Sequence, residues 1–266
     1  MLISVRFAFG KNWLNFLKRA NNNSIEIASK SINDLLHYTD LNENFLDVGC
    51  GSGIFSLAAR NKNMNVASFD YDEFSVKATQ SLKDKYYKND KKWNVFQGSI
   101  LDKEFLKKFI NKFDIVYSWG VLHHTGEMLQ ALENISVIPK RGGFLIISIY
   151  NDQGYKSIYW KKIKKLYNTS FLLKILIILI HAPYFLFIVP LKKILFEQKF
   201  QINRGMNLWY DYLDWIGGYP FEVASVDQII NFFKQRGFKP VFIQDINNRL
   251  GCNEYIFQNI NAEHEN

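Results

Sequence analysis

Apolar and polar positions along this chain follow two rhythms in turn. Short apolar runs at 44–48, 65–70, 93–97, 113–118 and 143–149 read as strands. Between them, 54–60, 73–88, 102–112 and 127–137 have the spacing of helices. Two more helices are predicted ahead of the first strand, over 11–20 and 24–38. The alternation resumes late in the chain. Ser225-Val226-Asp227-Gln228 has the form of a capping box, Val226, Ile229, Ile230 and Phe233 share a helical face, and Gly237 is a stop. Closing strands are expected over 239–244 and 254–258. This order implies βαβ units with right-handed crossovers and a mostly parallel sheet with helices on both faces. Ligands of such sheets bind beyond the carboxyl ends of the strands, where strand order reverses. The stretch 47–53, Asp70, Ser99 and Trp119 each end or follow a strand, so one crevice should gather them.

The interruption, 152–222, follows a different pattern. Over 158–167, Tyr159, Trp160, Ile163, Leu166 and Tyr167 gather on one side of a helix, and Lys161, Lys164 and Lys165 are assigned to the other. Then 175–191 runs for 17 residues with no Asp, Glu, Lys or Arg. A spanning helix needs about 20 apolar residues, and Pro183 would break a straight one. Two short helices meeting near Pro183 are expected, as a cap over the acceptor pocket, in contact with a membrane interface, or both. The division is therefore 1–40 as an N-terminal helical lid, 41–151 as the core, 152–222 as a helical insertion between strands 5 and 6, and 223–266 as the returning part of the core. Phe7, Phe9, Trp13 and Phe16 suggest that the first segment closes over the site with Trp13 near it; packing on an outer helix is the alternative.

Composition adds three points. A chain of 266 residues, 48% hydrophobic, suits one large domain with an insertion. Cys50 and Cys252 are distant, which argues for a reducing, cytoplasmic setting, and 1–10 does not read as a signal peptide. The net charge is +8, and 152–204 holds ten basic residues against two acidic ones, so the whole excess sits in the insertion. Such a patch suits nucleic acid or an anionic lipid surface.

The candidate chemistry begins with Asp47-Val48-Gly49-Cys50-Gly51-Ser52-Gly53. Glycines after a strand permit a tight turn and close approach of a ligand to the backbone. The third glycine of a dinucleotide fingerprint would stand at 54, which is Ile54; here it is Gly53, giving GxGxG after an acid. Asp70, ending the second strand, suits the two hydroxyls of a ribose, or else is a turn aspartate. Tyr71 is placed to pack on an adenine. In Gly98-Ser99-Ile100-Leu101-Asp102, Ser99 and the backbone of Ile100 can read an adenine edge, while Asp102 is better read as a helix N-cap.

Together with Val66-Ala67-Ser68-Phe69-Asp70, Phe113-Asp114-Ile115-Val116, Val121-Leu122-His123-His124 and Gly142-Gly143, these motifs resemble the class I S-adenosylmethionine (AdoMet)-dependent methyltransferases. Within that class the resemblance is to the small-molecule branch that includes the ubiquinone-biosynthesis methylases. It covers about 40–150 and, more weakly, 225–260. It implies a Rossmann-like, seven-stranded α/β sheet with the last strand antiparallel, and AdoMet held by Asp47, Gly49, Cys50, Gly51, Gly53, Asp70, Tyr71, Ser99, Ile100 and Trp119. The flanks, including Phe9-Gly10-Lys11-Asn12-Trp13 and Gly217-Gly218-Tyr219-Pro220-Phe221-Glu222, look like those of a bacterial methyltransferase group of unassigned substrate.

Methyl transfer is an in-line displacement for which alignment does much of the work. A base helps a hydroxyl acceptor, and His124 and His123 are the candidates; both also read as histidines satisfied at a helix start. Asp211, Asp214, Tyr219 and Glu222 lie in an aromatic-acidic stretch expected to form a substrate lid. No His/Asp/Glu set has metal-ligand spacing. The expected function is O- or C-methylation, rather than N-methylation, of a small-molecule or lipid-linked acceptor, with peripheral contact to an anionic membrane through 158–196. An RNA-directed methyltransferase using the basic insertion is the alternative. A methyltransferase-like scaffold without cofactor binding is a third reading, opposed by the glycine loop.

Overall fold

The structure is a computed structural model that describes residues 6–17, 22–39, 43–188, 208–247 and 249–261. The five predicted parallel strands form as β1 (Asn44–Val48), β2 (Asn65–Asp70), β3 (Trp93–Gln97), β4 (Phe113–Trp119) and β5 (Pro139–Tyr150). The returning segment gives β6 (Phe238–Gln244) and β7 (Cys252–Asn259). Their order in one sheet is β3-β2-β1-β4-β5-β7-β6, and β7 runs antiparallel to both its neighbours. Strand order reverses between β1 and β4, which places a crevice beyond their carboxyl ends.

Helices cover both faces. On one side α2 (Asn22–Leu36), α3 (Ile54–Asn61) and α4 (Glu73–Tyr86) bury Ala28, Ile32, Ile54, Leu57 and Leu82 against Phe45, Val66 and Ile115. On the other, α5 (Lys103–Leu106), α6 (Met128–Ser136) and α10 (Val226–Lys234) bury Leu106, Leu132, Ile135 and Phe233 against Leu46, Phe69, Val116 and Tyr255. Asp72 caps α4 through Phe74 N–H, and Asp102 caps α5 through Phe105 N–H. The predicted capping box of Ser225 and Gln228 starts α10. Beneath the sheet centre runs a buried polar chain: Trp93 Nε1–H donates to Ser68 Oγ at 2.9 Å, Ser68 and Ser56 Oγ lie 2.7 Å apart, and Ser56 Oγ–H donates to Asp47 Oδ2 at 2.5 Å.

Some boundaries differ from expectation. The helix predicted over 102–112 stops at Leu106, because the chain tightens into three-residue turns that bring Phe109 against Phe69 and Phe105. The first helix, α1 (Phe9–Leu17), starts earlier than predicted; 18–20 lie outside the described residues.

In the insertion, α7 (Tyr155–Tyr167) is followed by α8 (Phe171–Pro183), a π-type turn over Tyr184–Ile188, and α9 (Leu208–Gly217). The break expected at Pro183 falls there, and 189–191 of the second predicted helix lie outside the described residues. Pro183 ends the α-helical ladder of α8, after which the wider turn carries on, while α7 and α8 part at 168–170. Lys164 is also corrected: it stands one turn from Trp160 and from Tyr167, so it shares their buried face and not the solvated one. A small core of Tyr167, Ile177, Tyr212 and Ile216 joins α7, α8 and α9, with Phe7 packed against it. Lys192, Lys193, Lys199, Arg204 and Pro190 fall outside the described residues.

Candidate active site

All three loop glycines are left-handed, with φ of 73° at Gly49, 55° at Gly51 and 77° at Gly53, values that side chains rarely adopt. The turn folds back over β2, where the N–H groups of Gly49 and Cys50 both donate to Phe69 O, at 2.8 and 3.1 Å. Asp70 sits beside it. Its Oδ2 accepts Gly51 N–H at 3.0 Å and its Oδ1 accepts Asp72 N–H at 2.9 Å. Each oxygen keeps a second lone pair, so the carboxylate can still take two hydroxyl donors. The next loop is tied in by Gly98 N–H to Asp70 O at 3.0 Å, Ser99 Oγ accepts Leu101 N–H, and Asn134 Nδ2 holds Ile100 O.

Burial acts on the acids. It pushes Asp70 up to about 6, against the lowering effect of the Asp72 and Gly51 amides. It pushes Asp47 up to about 7, opposed by Ser56. The Asp47 side chain points into the polar chain under the sheet, where it accepts Ser56 Oγ–H. Cys50 is likewise turned inward, where burial raises the thiol against the lowering effect of Thr79 Oγ–H, which meets its sulfur at 3.2 Å. Its backbone alone lies on the turn.

The N-terminal segment crosses the crevice. A Cβ added to Gly51 would stand 3.1 Å from Trp13 Nε1, so that indole lies on the loop. Gly10 N–H donates to Asp72, and the Arg6 guanidinium stacks 5.1 Å from the Tyr71 ring while donating to Thr125 O at 2.8 Å. Phe7 N–H reaches Tyr219 O at 2.9 Å.

Beyond Trp119, which is half-buried, a short turn over Leu122–His124 carries the two histidines. His123 has no exposed surface, and its Nδ1 accepts Tyr150 N–H at 3.3 Å. His124 is half-buried with its ring 4.8 Å from Phe9. Its Nδ1 lies 2.6 Å from Pro220 O. A carbonyl can only accept, so Nδ1 carries the proton and the neutral ring has its lone pair on Nε2.

Residues 46–145 match the family model described as a methyltransferase domain. The chain carries a class I methyltransferase domain. It is 30% identical over 147 residues to the ubiquinone biosynthesis O-methyltransferase of Rickettsia typhi, covering 53% of this chain and 56% of that protein. It is 34% identical over 116 residues to the ribosomal protein L11 methyltransferase of Campylobacter concisus, covering 43% and 37%. The chain thus spans about half the length, or less, of these curated relatives. The methyltransferase domain also shares its fold with the [4+2]-cyclase SpnF, at a TM-score of 0.55 and 12% identity over 86% of this chain and 80% of that one.

Around the methyltransferase domain, several contributors escaped the sequence pattern. Val121 packs under Gly49, and Thr79 under Gly53. Glu222 is no lid residue: both its oxygens accept Met128 N–H, at 3.1 and 3.2 Å, which caps α6, and its own N–H donates to His123 O. The stretch 217–222 is docked between the N-terminal segment and the histidines, because Tyr219 O and Pro220 O are both engaged there. The side chains of Asp211 and Asp214 lie outside the described residues. Lys164 is enclosed by Trp215, Phe221 and Tyr150, 4.2, 4.9 and 5.8 Å from their rings, and donates to Trp215 O. Its spacing from Trp160 was the available signal; the neighbouring lysines masked it.

Proposed function

We propose that this protein transfers the methyl group of AdoMet to oxygen or carbon of a small-molecule or lipid-linked acceptor. The observation that carries the cofactor is the pairing of a three-glycine, left-handed turn with Asp70, whose oxygens are oriented by two amides and keep acceptor capacity for ribose hydroxyls. Ser99 and Ile100, in the loop tied to Asp70 by Gly98 N–H, are assigned to the adenine edge, and Tyr71 to its face. AdoMet, when bound, supplies an activated methyl group on a sulfonium. The chain holds the reactants in line and keeps them from water. His124 is oriented by Pro220 O so that Nε2 can accept the proton of an acceptor hydroxyl. His123, enclosed and holding Tyr150 N–H, is assigned to positioning that turn. The N-terminal segment serves as a lid, with Trp13 over the glycine loop.

The cofactor test is calorimetry with AdoMet and its demethylated product. Asp70→Ala should weaken both by about 1.5–3 kcal/mol, the range for lost charge-assisted hydrogen bonds. Unchanged affinity in that variant would remove Asp70 from the site. The acceptor is sought by mass spectrometry of metabolite and lipid extracts from cells with and without the protein. A methylated species found only in RNA would overturn the acceptor class.

A further inference from the structure

Helix α8 is apolar but for Lys174 and His181, a composition that suits burial, yet among the described residues only one side is packed. Ile177 is buried, and Ile178 and Ala182 pack beside it on the small core under the insertion. The other side, at 171, 172, 175, 176, 179 and 180, forms a continuous stripe open to solvent, with Leu172 77% and Leu179 66% exposed. Phe187, in the turn beyond, is 71% exposed. Next to the stripe, α7 presents Tyr155, Ile158, Tyr159 and Leu166, and Tyr159 touches α8 through His181 at 3.1 Å. A patch of this kind marks an interaction surface. Its charge names the partner. Residues 155–188 contain six lysines and no Asp or Glu. Lys156, Lys161, Lys162 and Lys165 are exposed, and Lys162 shares the apolar ridge of Tyr155, Tyr159 and Leu166.

We infer that the α7–α8 face docks in the plane of an anionic membrane, its apolar stripe among the acyl chains and its lysines at the headgroups. A second copy on this face would bring like charges together. Residues 189–207 carry four basic residues against one acidic, so they offer no complement either. The span 171–188 is long and apolar enough by composition to cross a bilayer. The packed side of α8, held by Tyr212 Oη–H to Ile178 O at 2.9 Å, ties it flat against the domain instead. The buried side of α7 carries Lys164 and Trp160 to Trp215 and Tyr150, so docking sets the histidine side of the crevice one helix layer from lipid.

The test is flotation of the full chain with phosphatidylcholine vesicles, with and without phosphatidylglycerol. Wild type should float only with the anionic vesicles, and less at high salt. Replacing Leu172, Leu176 and Leu179 by Asn should lower the bound fraction by roughly tenfold, with an unchanged melting curve as the folding control. Ile177 is left alone because it is buried. Independently, Lys161→Gln, Lys162→Gln and Lys165→Gln together should abolish the preference for anionic vesicles. Failure of wild type to float overturns the inference, as does equal flotation of the Asn variant. So does a salt-stable dimer that the Asn variant dissociates, which would assign the face to a second copy. Retention of wild type in vesicles after alkaline carbonate would make α8 a spanning helix and also overturn it. None of these readouts depends on methyl transfer, so the inference stands or falls apart from the proposed activity.

Discussion

Asp47 and Asp70 lie on neighbouring strands, and burial raises both, to about 7 and about 6. An unfolded aspartate titrates near 3.9, so the folded, ligand-free chain holds these protons more tightly than the unfolded one. Stability therefore falls as pH rises from about 4 towards 7, the sign given by the excess of bound protons in the native state. A ligand carrying a sulfonium and sharing ribose hydroxyls with Asp70 requires the ionised form. Thermal melts should show the ligand-free protein more stable at pH 5 than at pH 7.5, with the stabilisation by AdoMet growing over that interval. An AdoMet affinity that is flat from pH 5 to 7.5 would overturn the coupling of binding to a proton on Asp70. At this scale the sequence was informative for Asp70, because an acid at a strand end has few roles. It was silent on Asp47 facing inward, since both faces of a central strand are buried and either could have taken the carboxylate.

Helix α1 has a double attachment: Gly10 to Asp72 at the start of α4, and Trp13 on the glycine turn. If it serves the cofactor, Trp13→Ala should raise the Kd for AdoMet by roughly tenfold, about 1.4 kcal/mol. A lower melting temperature with unchanged affinity would show that the helix only packs. Glu222 offers a second element-level test. It meets the amide end of α6, where a carboxylate is favoured by the unpaired N–H groups. Glu222→Ala should cost about 1–2 kcal/mol in denaturant melts, and Glu222→Gln less, because one acceptor oxygen remains. Equal losses would discount the cap. The strands and main helices were legible because they repeat a simple period over enough residues. The end of α5 was not, since 107–112 keeps a helical pattern while the packing of Phe109 selects tighter turns. Nor was the docking of 217–222: aromatic and acidic residues there read as mobile chemistry, whereas their backbone carbonyls hold the assembly together.

At the scale of the molecule, α7 is held to α9 through Lys164, whose ammonium reaches Trp215 O and lies 5.8 Å from the ring of Tyr150 at the end of β5. Lys164→Ala should loosen α7 and α8 selectively. Limited proteolysis would then cut within 155–188 sooner than in wild type, with the core's AdoMet affinity retained; wild-type resistance would move the anchor elsewhere. The same joint receives the start of the chain, where Phe7 N–H bonds Tyr219 O and Arg6 reaches the carbonyls of His124 and Thr125. This has a consequence for the order of events during synthesis. The covering segment leaves the ribosome before its partner at Tyr219, which follows roughly two hundred residues later, about 10–40 s at ordinary elongation rates. Its contacts with Gly51, Asp72 and Thr125 can form early, and the crevice can meet a ligand before the contact at Tyr219 closes over it.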